Sequence, residues 1–88
     1  MVDARIREDV LTASRSFRLG MDAQGSDALT RVVDGLLGGA VGEDVLRSAA
    51  RVFGELLQAQ ERGDMIGLAD RLEFELLPLL PENPPTRR

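Results

Sequence analysis

Ala59–Gln60–Glu61–Arg62–Gly63–Asp64–Met65–Ile66–Gly67–Leu68 is the stretch on which the fold depends. Gly63 suits the left-handed position that closes a helix, and Asp64 directly after it suits the N-cap of the next. No residue is left over for a loop. Two helices joined this tightly fold back as an antiparallel hairpin. Upstream, Val45, Leu46, Ala49, Val52, Phe53, Leu56 and Leu57 recur on one helical face, predicting a helix that starts near Gly42 or Glu43. Glu43 with Arg47 and Arg51 with Glu55 are expected to pair along its outside. Downstream, Met65, Ile66, Leu68, Ala69, Leu72, Leu76 and Leu77 face inward on a last helix, with Arg71 and Glu75 paired outside. Pro78 ends or kinks that helix near Leu77, because its ring clashes with the preceding turn.

Working toward the N-terminus, Gly38–Gly39–Ala40–Val41–Gly42 is the clearest break. Before it, Ala28, Leu29, Val32, Val33, Leu36 and Leu37 form a broad apolar face on a second helix that Ser26 is expected to cap, with Asp27 and Arg31 paired. Earlier still, Val2, Ile6, Val10, Ala13 and Phe17 make one stripe of a first helix over 3–19. Asp3 is its expected cap and Gly20 its stop. Met21 to Gly25 reads either as a connection or as helix running on past Gly20. Gly35, Gly54 and Gly67 fall inside helices, where each costs up to about 1 kcal/mol against Ala, so close helix–helix approach is expected to compensate. No strict apolar–polar alternation is sustained anywhere, so no strand is predicted. The reading is all-α: a small antiparallel bundle of three to four helices, one domain over 1–80, with a Pro-rich tail over 81–88 expected to be extended or disordered.

At 88 residues, the chain is one small domain with little stability to spare. It has no Cys, His, Trp, Tyr or Lys, and all its basic residues are Arg. Disulfides, thiolate chemistry, Schiff bases and the usual proton shuttles are therefore closed to it. Zinc would have only carboxylates to bind. The net charge of −4 argues against a general nucleic-acid binder. The opening residues include Asp3, Arg5, Arg7, Glu8 and Asp9, so no signal peptide is read, and a cytoplasmic location is expected. Leu76 to Leu80 is too short to span a bilayer.

Each candidate chemical cluster has a plainer alternative. Asp70 and Glu73 share a helix face at a spacing suited to a hard cation such as Mg²⁺, but acidic runs on amphipathic helices are usually solvated. Ser14, Ser16, Ser26 and Ser48 have no His to activate them. The glycine run 38–42 lacks the Lys of a phosphate loop. No catalytic residue, cofactor, metal or small-molecule substrate is therefore expected, and the chain reads as not an enzyme. Arg5, Arg15, Arg18 and Arg31 form either a basic patch or ordinary pairs with Glu8, Asp9 and Asp27. Phe74 is flanked by Glu73 and Glu75 and points sideways on the last helix. It is either a contact surface or part of a wider core. The apolar run 76–81 either packs back across the bundle or docks on a second copy or a partner groove.

Residues 17–29, Phe17 to Leu29, resemble the first joint of a small uncharacterised bacterial all-helical protein family. Residues 60–76, Gln60 to Leu76, are similar to its closing helix. The compact acidic bundle more weakly resembles flagellar secretion chaperones. The resemblance implies a non-enzymatic helical protein and carries over no functional residues.

Three functional expectations follow. The first is a protein–protein interaction module, an adaptor or chaperone-like bundle that binds an amphipathic partner helix. Its surface would be Phe74, Leu77, Leu79 and Leu80, rimmed by Arg71, Glu73 and Glu75. The second is an obligate homodimer, structural or regulatory, in which self-association consumes the surplus apolar surface. The third is a nucleic-acid-associated regulator using the arginines of the first and third helices, where Arg47, Ser48, Arg51 and Gln58 make a thin reading surface.

Overall fold

The computed structural model describes residues 5–39 and 41–80. The expectations for Val2, Asp3 and the 81–88 tail lie outside these residues. Among the described residues there are four α-helices: α1 (Arg5–Arg18), α2 (Asp22–Leu37), α3 (Glu43–Glu61) and α4 (Met65–Arg71). A wide π-helical turn over Leu72–Leu76 and a tight 3₁₀ turn over Leu77–Leu79 continue α4. No strand occurs among the described residues, and the chain is a small all-α bundle.

The two tightest joints are built alike. At Gly20 (φ 76°), Met21 N–H donates to Ser16 O at 2.8 Å, and Gly20 N–H donates to Phe17 O at 3.2 Å. At Gly63 (φ 73°), Asp64 N–H donates to Ala59 O at 2.8 Å, and Gly63 N–H donates to Gln60 O at 3.0 Å. Both are Schellman closures, which need a residue free to adopt positive φ. The Asp64 carboxylate then accepts from Gly67 N–H at 2.9 Å, as the sequence predicts for an N-cap.

The start of α2 differs from the expectation. The helix begins at Asp22, after Met21, and Ser26 lies inside it. Gly25 is buried in the first turns of α2, and a Cβ built there would stand 2.8 Å from Phe17 Cε1. The connection shortens because Gly25 must be helical to bring α2 against the Phe17 ring. Gly35 also permits a close approach, with Ile6 Cδ1 3.3 Å from the position of a Cβ. Gly54 and Gly67 do not. Gly54 has nothing within 4 Å, and a Cβ at Gly67 would land on the capping carboxylate of Asp64.

The core is continuous. Ile6, Val10, Ala13 and Phe17 meet Ala28, Val32 and Leu36 of α2 on one side. On the other they meet Leu68, Ala69, Leu72 and Leu76, which pack on Val52 and Leu56 of α3. The helices therefore pack in the order α2, α1, α4, α3. The seam that would close the ring, α2 against α3, has almost no close backbone approach.

The wide turn has a local cause. An α-helical Pro78 would drive its ring into the carbonyl of Phe74 and has no N–H to give it. The chain widens one turn earlier instead, and Leu77 N–H reaches back to Leu72 O.

Candidate functional site: an open trough between α2 and α3

The unclosed seam is lined by hydrocarbon at one end and by mixed apolar and polar side chains, Ser26, Thr30 and Gln60 among them, at the other. One end is an opening of about 290 Å³ between Val33, Leu36 and Leu37 of α2 and Leu46, Ala49, Ala50 and Phe53 of α3. The other is an opening of about 220 Å³ reached by Ser26, Leu29 and Thr30 on α2 and Leu57 and Gln60 on α3. Val33 and Phe53 line both, so the openings form one trough. Measured along α2 from Ser26 to Leu37, it runs roughly 17 Å at 1.5 Å per residue. Leu36 and Ala49 form part of its buried floor. Leu37 and Leu57 stand on its lips, 74% and 59% exposed.

Sequence periodicity places Leu29, Val33, Leu36, Leu37, Leu46, Ala49, Phe53 and Leu57 of this lining on the inward apolar faces. It identified the apolar side of α2 and α3 correctly. The stripes are wider than α1 and α4 can cover, and Leu37 and Leu57 are left outside. Ile66, also expected inward, is 53% exposed. The breadth of the paired positions Leu36–Leu37 and Leu56–Leu57 was the available signal, since a helix with one neighbour needs only one member of each pair.

The surface expected around Phe74 is divided. Phe74 itself is exposed at 70%, over an opening of about 270 Å³ shared with the more polar Gly67, Asp70, Arg71 and Glu75. Leu80, by contrast, is in the core at 3% exposure, and Leu77 and Leu79 are half-buried against it. The Arg7 guanidinium holds this segment by donating to the carbonyls of Leu77 and Leu80, both at 3.3 Å. The segment over 77–80 thus packs back on the bundle, and Phe74 is left without apolar companions from it.

The rim residues of that expected surface are occupied by helix–helix ties. Glu73 Oε1 accepts from the buried Ser14 hydroxyl at 2.6 Å and from Arg18 Nε at 2.9 Å. The Ser14 hydrogen bond, and after it Arg18, hold the Glu73 carboxyl below the usual carboxylate range. Arg18 also reaches Asp70 at 2.9 Å, so both carboxylates of the expected cation pair face one guanidinium. No group of three or more metal-binding side chains gathers among the described residues. Arg71 bridges Glu55 of α3 at 2.8 Å and Glu75 at 2.9 Å. The neighbouring Glu55, first, pushes the Glu75 carboxyl up, against the opposing pull of Arg71.

Several expected ion pairs are exchanged for others. Arg31 pairs with Asp9 of α1 at 3.2 Å in place of Asp27, and Glu55 takes Arg71 in place of Arg51. Arg47 sits 3.7 Å from Asp44, and both side chains are largely in solvent. Exchanging a same-helix partner for one on a neighbouring helix ties α1 to α2 and α3 to α4.

The Ser14–Glu73 contact brings a hydroxyl to a carboxylate, the outline of a nucleophile and a base. A carboxylate stabilised by two donors is a weak base, and the arrangement acts as a tie between α1 and the wide turn. No described helix is long and apolar enough to cross a membrane. No protein-family model, curated protein or solved structure matches the chain.

Proposed function

We infer that the chain is a non-enzymatic protein–protein interaction module, adaptor-like or chaperone-like, whose docking face is the α2–α3 trough. The observation that carries this reading is the hydrocarbon lining, with Leu37 and Leu57 exposed on its lips and Phe53 half-buried between them. Covering a leucine fully is worth about 1.5–3 kcal/mol, so two such side chains beside an apolar floor provide a substantial gain on association. A groove between two helices with this lining suits an amphipathic helix that presents side chains at i, i+3, i+4 and i+7. The residue set supports the non-enzymatic part of the reading. Lys, His, Cys and Tyr are absent, and Ser14, which donates to a carboxylate, is bound to a weakened base.

This replaces the surface expected around Phe74, because Leu77, Leu79 and Leu80 pack inward. The test is a designed amphipathic helical peptide, fluorescently labelled, followed by anisotropy. Wild-type protein is expected to bind it, Leu57→Glu to lose it and Phe74→Glu to keep it. Binding unchanged in Leu57→Glu, or lost in Phe74→Glu alone, would overturn the assignment.

A further inference from the structure

We propose that the partner helix seated in the α2–α3 trough is basic: an amphipathic helix whose apolar side enters the trough and whose flanking positions carry Arg or Lys. The inference rests on the trough being a docking face and adds the charge of what docks there.

The argument starts from where the unpaired carboxylates lie. Away from the trough, acids are taken up by arginines: Arg18 holds Asp70 and Glu73, Arg31 holds Asp9, and Arg71 holds Glu55 and Glu75. The carboxylates with no ion pair among the described residues are Glu8, Asp22, Asp27, Asp34, Glu43 and Glu61. All but Glu8 stand on the two helices of the trough, and all are exposed.

Their register sets them along its rim. Asp34 directly follows the trough-lining Val33, and Glu43 is three residues before Leu46, so both border the end lined by Leu37 and Leu46. Asp27 directly follows Ser26, Asp22 is one turn before Ser26, and Glu61 directly follows Gln60, so these border the other end. Arg47 also borders the first end, with Asp44 3.7 Å from its guanidinium.

Helix electrostatics separate two of these acids from the rest. Asp22 and Glu43 stand in first turns, where the helix dipole favours a negative charge. Asp34 and Glu61 stand in the last turns of α2 and α3, where the dipole opposes one, and neither last turn holds a base. The fold therefore carries these two charges against its own field, with no ion pair among the described residues to offset them. Cationic side chains flanking a docked apolar face supply the missing partner at both ends of the trough. Exposed pairs of this kind are weak singly, so their effect is on the choice of partner and appears when several act together.

The test uses three labelled helical peptides with the same leucine pattern at i, i+3, i+4 and i+7 and with Arg, Gln or Glu at the flanking positions. A fourth has the Arg composition with its leucines scrambled. Anisotropy is read at low salt and at about 0.5 M salt, where exposed charges are largely screened. The proteins are wild type, Asp34→Asn with Glu61→Gln, and Glu8→Gln, each checked for folding by circular dichroism. Wild type is expected to bind the Arg peptide about tenfold more tightly than the Glu peptide, with Gln between them and the spread narrowed at high salt. The double variant is expected to cut that preference about threefold, and Glu8→Gln to leave it unchanged. Equal affinities for the three patterned peptides, or a preference unchanged in the double variant, would overturn the basic partner while leaving the trough as a docking face. A scrambled peptide that binds as tightly as the patterned Arg peptide also overturns it, because the attraction would then be to net charge alone. Binding of none of the peptides overturns the trough itself as a docking face, and the basic partner with it.

Discussion

Gly25 of α2 lies so close to the ring of Phe17 that a Cβ there would stand 2.8 Å from both Cε1 and Cζ. Phe17 is 2% exposed and has no room to retreat. Gly25→Ala is therefore expected to lower stability by about 1–2 kcal/mol, overpacking outweighing the gain in helix propensity. Gly54 has open space where a side chain would go, so Gly54→Ala is expected to raise stability by about 0.5–1 kcal/mol. Urea unfolding of both variants, at a concentration where the chain is monomeric, reads the opposite signs.

The Ser14–Glu73–Arg18 tie gives a pH dependence. The Glu73 carboxyl is held below its ordinary range in the folded state, by Ser14 first and Arg18 next. A depressed carboxyl contributes stability above its unfolded value, near pH 4.5, and loses it as pH falls through the folded value. Ser14→Ala removes the larger cause and is expected to cost about 1–2 kcal/mol at neutral pH. Less of the remaining stability should then disappear on acidification. Chemical denaturation between pH 7 and 3 checks this, and an unchanged acid slope in Ser14→Ala would count against it.

Glu75 works in the opposite direction. Its carboxyl is raised chiefly by Glu55, so protonating it relieves a repulsion in the folded state. Its contribution is therefore present at low pH and lost as pH rises through the raised value. Glu55→Gln should return the Glu75 titration toward the ordinary range, which carboxyl-carbon NMR would read directly. A Glu75 titration that stays raised would place the cause elsewhere.

Phe74→Ala is expected to change stability by less than about 0.5 kcal/mol, since the ring is 70% exposed. Leu76→Ala, two residues on and fully buried, is expected to cost about 2–5 kcal/mol. Thermal or urea unfolding of the pair distinguishes an exposed ring from a wider core.

The sequence was most readable where one residue has one use. Gly63 and Asp64 mark a helix end and a helix start, and the hairpin between α3 and α4 forms there. Pro78 is legible as a break near Leu77, and the structure meets it with a wide turn over Leu72–Leu76 and a tight one over Leu77–Leu79. The start of α2 was misread because Ser26 looks like a cap, whereas the helix begins at Asp22 with no side chain capping it. Tertiary contact between Gly25 and Phe17 decided that boundary. The trough was hidden for a different reason. Periodicity tells which side of a helix is apolar, but not whether a neighbour covers it. Leu37 and Leu57 have the same spacing signature as Leu36 and Leu56, and only the packing order α2, α1, α4, α3 separates the exposed pair from the buried one.

The most direct test of the central claim is methyl NMR of Val and Leu side chains as the protein associates with the amphipathic peptide. The account predicts that the resonances of Val33, Leu37 and Leu57 shift together, while those of Leu77 and Leu79 stay in place. Shifts confined to Leu77 and Leu79, with the trough methyls unmoved, would contradict it.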